Sequence, residues 1–443
     1  MNWVTWAASV LSCDRDEDIP QTCGTVVTRG DHTNQGNGGD KILRLGIAGL
    51  GVASTLFLPG VEKFDKAQIV AAADPRDSAR AAFKDKYGGR AYADAGELFA
   101  DPDIDAVWIA TPNHLHCEHT IAAAENGKHV ICTKPMALSV AEGLAMCEAA
   151  ERHGVHLLCG QTYSMSPDVQ ALWRVAASGE LGRLIAVNTW FSTDWLLKPR
   201  VAEELDEALG GGVVFRHAPH LIDTIRLLGG GRLRGVRASV GRWMPERPCA
   251  GNFSAFMEFE DGTPATLAYN GYGYFDTSEL TWGIGNRMYD EDERIAMRQS
   301  LRRGSSDDNS AKEGMRFGAS TTAAASEGKG WTHVSPAGSR AHIRWFGITV
   351  ASFERGDIRQ SPNGIYVYSS EGRCEIPVTG GRGAGLLETR EMHEAIFEGK
   401  PIVHDGRWAL ATLEVGEAMA RSSAERREIM LEHQCGLPDG GAT

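Results

Sequence analysis

The chain has 443 residues, 58 acidic against 45 basic side chains, a net charge of −13 and a pI of about 5.6. That length suits two domains with a large core, and the acidic balance argues against nucleic acid or an anionic membrane as partner. No apolar run reaches the roughly 18 residues of a membrane span. The nine cysteines are scattered and lack C-x-x-C, which fits reduced thiols and a cytoplasmic location better than disulfides or a zinc site.

In chain order, residues 1–40 read as a disordered extension. The weakly apolar run Trp3–Leu11 lacks a basic start and is followed by Asp14, Asp16, Glu17 and Asp18, against a signal peptide, and Arg29–Asp40 is polar and Gly/Asn-rich. Over 41–162 strands (43–48, 68–73, 106–111, 129–132, 156–160) alternate with helices (54–63, 76–87, 94–100, 116–126, 139–153). Ser139 with Glu142 forms a capping box, and Asn126-Gly127 is a helix stop. Such alternation implies a doubly wound parallel sheet of Rossmann type.

After a helix at 167–178 the pattern changes to strands joined directly: 183–191, 234–243, 252–259 and 264–274, with Asp261-Gly262 as a hairpin turn. Residues 163–430 therefore read as a second, α+β domain. Within it, 285–340 is charged, Ser/Gly-rich and aperiodic, and reads as a mobile surface insertion. Strands at 346–354 and 364–369 and helices at 386–397 and 407–422 follow, then a tail from 431 to 443.

The strand at 43–48 runs into Gly49-x-Gly51-Val52-x-Ser54 and a helix, and Asp74 ends the next strand 23 positions after Gly51. Gly49 permits a tight turn, and Gly51 lets a pyrophosphate approach the backbone. The helix that follows presents its first N–H groups, Ser54 is small enough for close packing, and Asp74 can bind ribose hydroxyls. The carboxylate favours NAD. Arg76, two residues on, leaves a phosphate contact and hence NADP open.

Three further segments can carry chemistry. Thr111-Pro112-Asn113-x-x-His116 follows a strand end, where ligands of such sheets sit, and Thr111-Pro112 fixes an extended turn that can face a nicotinamide. The plainer reading of His116 is a helix-start residue with no ligand. Lys134, before Pro135, ends a buried strand, a costly place for an ammonium unless it is paired, snorkels to solvent, or orients a substrate hydroxyl and lowers its pKa. In Gly210-Gly-Gly-Val-Val-Phe-Arg216-His217-Ala-Pro-His220-Leu-Ile-Asp223, Arg216 and His220 are four apart and fall on one helical face. His220 suits a base taking a hydroxyl proton, and Arg216 suits a carboxylate. A core histidine and an Arg216–Asp223 pair are the structural alternatives.

Together the G-x-G turn, Thr111-Pro112-Asn113-x-x-His116, Lys134-Pro135 and GGG…His220-x-x-Asp223 resemble the glucose–fructose oxidoreductase/inositol dehydrogenase (Gfo/Idh/MocA) superfamily over about 43–430. The resemblance implies a Rossmann domain, a C-terminal domain with an open, mostly antiparallel sheet, NAD(P)-dependent hydride transfer, and packing as a homodimer or homotetramer. It departs from the family at Thr133, where Glu is usual, and at Arg216, where Asp is common. The Asp-to-Arg exchange points to an anionic substrate.

Lys198-Pro199-Arg200, GGGVVFRHAPH, Tyr269-Asn270-Gly271-Tyr272-Gly273 and His404-Asp405-Gly406-Arg407-Trp408 are similar to a subgroup typified by phthalate 4,5-cis-dihydrodiol dehydrogenase. That similarity implies Arg216 and Arg200 as carboxylate ligands, with His217, Trp195 and Tyr272 at the substrate. The expected function is oxidation of a carboxylated cis-dihydrodiol to a catechol. The alternatives are a sugar, inositol or polyol dehydrogenase, an NAD-dependent glycosidase, and a non-catalytic dinucleotide-binding regulator. No metal is implied.

Overall fold

The structure, a computed structural model, describes residues 41–160, 163–319, 345–378 and 384–438. The expected extension at 1–40, residues 320–340 of the expected insertion and the last five residues of the tail lie outside the described residues.

The first sheet contains β1 (Leu43–Ala48), β2 (Ala67–Ala73), β3 (Arg90–Tyr92), β4 (Ala106–Ile109), β5 (His129–Thr133) and β6 (Leu157–Gly160). All neighbours are parallel, in the order β3-β2-β1-β4-β5-β6. That order reverses between β1 and β4, which opens the ligand crevice at their carboxyl ends. Helices cover both faces, so β1 and β4 are buried throughout most of their length, and Phe57 stacks on Trp108 with ring centroids 4.0 Å apart.

The second sheet contains β7 (Leu184–Ser192), β8 (Leu233–Gly241), β9 (Asn252–Phe259), β10 (Pro264–Asn270), β11 (Ile348–Phe353), β12 (Gly356–Ser361), β13 (Gly364–Ser369), β14 (Gly372–Pro377) and β15 (Ile429–Met430). Its order is β14-β13-β12-β11-β7-β10-β9-β8-β15, antiparallel except for the parallel pair β7–β10. Alternate residues point inward: Val187 and Phe191 on β7, Ala265, Leu267 and Tyr269 on β10. The helices Pro167–Ala177 and Ala218–Leu228 pack on this inner face. On the opposite face Ile185, Trp190 and Phe256 are exposed.

Two late helices return to the first sheet. Leu386–Glu398 packs on the fingerprint helix Val52–Val61, and Gly406–Glu425 lies between β8 and the helix Val140–His153. Gly143 makes room for the second contact, since a Cβ there would stand 3.0 Å from Leu410 Cδ1.

The stretch read as aperiodic carries two helices, Glu291–Arg303 and Asp308–Glu313. The first starts on a capping box: the Asp290 carboxylate accepts from Glu293 N–H at 2.9 Å and that of Glu293 accepts from Asp290 N–H at 2.9 Å. Its charged residues hide the period, because only Arg294 and Leu301 are buried. The second helix, none of whose residues is fully buried, is tied to both domains by ion pairs, Lys312 with Glu204 at 3.0 Å and Glu313 with Arg76 at 3.9 Å. Asp308 pairs with Arg247 at 2.6 Å, Phe317 stacks near Tyr87, and Gly318 abuts Ala82.

Candidate active site

The crevice between β1 and β4 begins at Gly49, whose φ is +96° and whose Cβ would stand 2.6 Å from the Ala110 carbonyl oxygen. Only glycine fits both demands. A Cβ on Gly51, in contrast, would meet nothing within 4 Å, so the backbone there is open to a ligand. Gly51 caps the helix Val52–Val61, and Ser54 Oγ donates back to Gly51 O at 2.7 Å, which uses its hydroxyl inside the turn. Asp74, 6% exposed, accepts from Leu50 N–H at 2.9 Å and from Arg76 N–H and Nε at 2.9 and 3.0 Å. Arg76 Nη2 also donates to Leu50 O at 2.6 Å. The guanidinium thus lies folded over the carboxylate, and a ribose diol reaches Asp74 by replacing those bonds. An open cradle, a helix N-terminus and this acid fit a dinucleotide.

The Thr111 turn is held by His116. Its Nδ1 lies 2.9 Å from Pro135 O and its Nε2 2.9 Å from Thr111 O, with the ring 1% exposed. Burial pushes this imidazole down to about 4, against the two carbonyls that favour its charged form, so the neutral ring donates to one of them. This corrects the placement of His116 at the cofactor: the buried ring is wedged between the Thr111-Pro112 and Lys134-Pro135 turns, with one nitrogen donating to one of the two carbonyls. Asn113 Nδ2 reaches Gly210 O at 3.4 Å and links the crevice to the three-glycine turn.

Lys134 follows β5, and its Nζ donates to Arg216 O at 2.9 Å, which sets the ammonium at the edge of the second domain. The helix expected to carry both Arg216 and His220 is broken. Gly212–Arg216 and Ala218–Leu228 are separate, with His217 between them at φ −122° and ψ −37°. Pro219 explains the break, because it has no N–H for a carbonyl of the preceding turn. Arg216 and His220 therefore do not share one helical face. Arg216 stays beside Lys134 through its carbonyl, and the His220 ring lies 6.3 Å from that of His217, whose charged neighbours include Lys134 and Arg200. His220 is 4% exposed, and its ring lies 4.5 Å from that of Phe346. Asp223 does not pair with Arg216. Instead it accepts from Ser164 Oγ and Trp408 Nε1 in the core.

Beside this centre one carboxylate faces three cations. Glu204 Oε1 lies 3.0 Å from Lys312 Nζ, 3.3 Å from Arg200 Nη1 and 3.9 Å from Arg216 Nη1. Burial opposes its charge, but Arg200, Lys312 and Arg216 hold it down at about 2. Burial brings Lys312 down to about 8, with Glu204 working the other way. Arg200 also donates to Trp195 O at 3.2 and 3.1 Å and lies 4.0 Å over the Trp195 ring. An acidic protein thus presents a local positive surplus at this place.

Tyr272 is a second correction. Its hydroxyl accepts from Trp243 N–H at 2.9 Å and faces Gly241 O and Asn252 at 3.4 Å, at the end of β8 and β9. It follows the bend after Asn270, so strand alternation no longer aims it inward, and the inward tyrosine is Tyr269. Sequence reasoning missed Tyr269, although its parity with Ala265 and Leu267 signals it. Lys312 and Glu204, 108 positions apart, carry no local signal that pairs them.

The fold and crevice define an NAD-dependent oxidoreductase. The chain belongs to the Gfo/Idh/MocA oxidoreductase family: residues 43–161 match its NAD-binding Rossmann fold and residues 169–282 its C-terminal domain. It is 33% identical over 383 residues to 1-carboxy-3-chloro-3,4-dihydroxycyclohexa-1,5-diene dehydrogenase of Comamonas testosteroni, covering 84% of this chain and 93% of that protein. A levoglucosan dehydrogenase of Pseudarthrobacter phenanthrenivorans is 34% identical over 41% of this chain and 47% of its own length. A crystal structure of a protein from Bordetella bronchiseptica RB50 superposes with a TM-score of 0.78 at 36% identity, covering 88% of this chain and all of that one. Levoglucosan dehydrogenase with NADH and levoglucosan shares the fold at a TM-score of 0.67 and 19% identity, covering 88% of this chain and 100% of that chain. Among the described residues no helix is long and apolar enough to cross a membrane.

Proposed function

We propose that the protein oxidises a carboxylated cyclic cis-diol, giving a catechol where the ring aromatises. The observation that carries this reading is the cluster in which Arg200, Arg216 and Lys312 face the carboxylate of Glu204, next to the Arg247–Asp308 ion pair and to Lys134, whose ammonium donates to Arg216 O. Three cations against one anion leave room for a further negative group, which a neutral sugar does not supply. The Comamonas relative is named for a carboxylated dihydroxycyclohexadiene, which supports the same class.

NAD, held in the crevice at Gly49, Gly51 and Asp74, would supply the hydride acceptor for the carbinol carbon. The Lys134 ammonium, held by Arg216 O, orients the reacting hydroxyl and lowers its pKa. His220 accepts the hydroxyl proton. Arg216 and Arg200 hold the carboxylate, and Trp195, under Arg200, lines the ring. Gly49, Gly51, Val52, Ser54, Asp74 and Arg76 form the dinucleotide cradle, with Thr111, Pro112 and Asn113 at its nicotinamide end. The proposal includes a homodimer or homotetramer packed through the open sheet face bearing Ile185, Trp190 and Phe256.

The test follows nicotinamide absorbance with purified protein, NAD or NADP, and four alcohols: a carboxylated cis-dihydrodiol, its neutral counterpart, myo-inositol and glucose. Turnover confined to the carboxylated diol supports the reading. Turnover of the neutral polyols instead moves the protein to the sugar and inositol branch.

A further inference from the structure

Two polar atoms on the inner face of the second sheet have nothing to bond. Tyr269 is 2% exposed, and its hydroxyl has no hydrogen-bond partner among the described residues. His217, 5% exposed at the junction between the two helices, is in the same position at Nδ1. The two rings neighbour each other, with centroids 4.9 Å apart and planes tilted by 35°. Buried polar groups are almost always satisfied, and a pair left unsatisfied calls for a reason.

Their surroundings supply it. Lys134, Lys198, Arg200 and Arg216 are the charged neighbours of His217, and Arg200, Asp194 and Asp276 are those of Tyr269. The Trp195 ring that carries Arg200 lies 5.9 Å from the His217 ring. Burial, reinforced by those cations, holds His217 well below its usual range, and burial lifts Tyr269 well above its own. At neutral pH the site therefore offers a neutral imidazole and a phenol that keeps its proton. Both sit where the proposed substrate meets Lys134 and Arg200.

We infer that Tyr269 Oη and His217 Nδ1 form a two-point subsite for the second, non-reacting hydroxyl of the substrate, vicinal to the one handled by Lys134 and His220. A hydroxyl accepts and donates at once, so a single substrate oxygen accepts from the tyrosine O–H and bonds the imidazole nitrogen. The inference rests on the diol reading above and assigns the residues that tell a diol from a simple alcohol.

The experiment compares kcat/KM for a carboxylated cis-dihydrodiol and its monohydroxy counterpart in the wild type, Tyr269→Phe, His217→Leu and His217→Asn. Tyr269→Phe removes one oxygen and keeps the ring. The diol rate constant is expected to fall about 10-fold or more, with the monohydroxy compound unaffected. The melting temperature is expected to hold or rise, because the oxygen lost had no partner. His217→Leu behaves likewise, and His217→Asn, with an amide near the place of Nδ1, recovers part of the diol preference. A fall in both substrates alike, or a loss of thermal stability in Tyr269→Phe, overturns the subsite. If the wild type prefers the diol and the variants keep its diol-to-monohydroxy ratio, the subsite alone falls. A wild type that oxidises simple alcohols and no diol removes the diol reading itself, and the subsite with it.

Discussion

Lys312→Met tests whether the helix Asp308–Glu313 supplies a working part of the anion site or only a strut. Burial lowers the ammonium from 10.5 to about 8, which corresponds to roughly 3 kcal/mol against the charged form in the folded chain. Glu204, lowered from 4.5 to about 2, gains a similar ~3 kcal/mol. The two figures do not add, because the gain at Glu204 belongs to Arg200, Lys312 and Arg216 together. Methionine keeps the bulk, removes a desolvated charge and leaves Glu204 facing two guanidinium groups. Stability at neutral pH is therefore expected to change by less than about 1 kcal/mol, or roughly 2 °C in melting temperature.

Catalysis responds differently. Losing one charge-assisted contact to a substrate carboxylate costs about 1.5–3 kcal/mol, or roughly 10- to 150-fold in kcat/KM. The pH dependence follows from the same group. In the wild type, KM for the anionic substrate rises above pH about 8 as Lys312 loses its proton, and the methionine variant lacks that limb. The stability sign is opposite. The folded value lies below the unfolded one, so between about 8 and 10.5 the unfolded chain binds more protons and this group's contribution to stability rises with pH. Nicotinamide absorbance across pH and thermal melts of both proteins read all of this. A variant with wild-type kcat/KM on the carboxylated diol on both sides of pH 8 refutes the reasoning, as does one that loses more than about 3 kcal/mol of stability.

Gly49→Ala combines a positive φ with a Cβ 2.6 Å from a backbone oxygen, and is expected to cost about 3 kcal/mol or more and to abolish dinucleotide binding; a wild-type melt with retained NADH fluorescence enhancement contradicts it. Asp74→Ala removes the ribose acceptor and frees Arg76, so kcat/KM with NAD should drop about 10-fold or more and the NAD-to-NADP ratio should shrink. An unchanged ratio would show that Asp74 does not select the coenzyme. Lys134→Met should lower kcat by about 100-fold or more while NADH still binds, and a kcat within about threefold of wild type removes Lys134 from the chemistry.

Much of the fold was legible because its signals are local. The βα alternation, the apolar strand before Gly49 and the acid at 74 are short-range patterns, and the parallel sheet with its β1/β4 crevice follows from them. Strands β12 and β14 escaped notice because Gly-Asp-Ile-Arg-Gln-Ser and Gly-Arg-Cys-Glu-Ile-Pro have little apolar alternation, and they form because β11 and β13 flank β12 and β13 offers a ladder to β14. The helix Glu291–Arg303 escaped because it buries so little of itself. The break at His217 had a local cause in Pro219, but the four-residue spacing of Arg216 and His220 invited a continuous helix.

The amino-acid sequence by itself determined the Rossmann crevice, the coenzyme class and the candidacy of Lys134, His220, Arg200 and Arg216, since each is marked by a turn, a strand end or a motif written in adjacent residues. Only the tertiary structure decided that His116 is a strut, that Tyr272 points to the ends of β8 and β9 while Tyr269 points inward, and that Lys312 stands against Glu204. Those outcomes depend on which face a strand presents and on which distant segments share a low-dielectric pocket, and neither is carried by spacing along the chain.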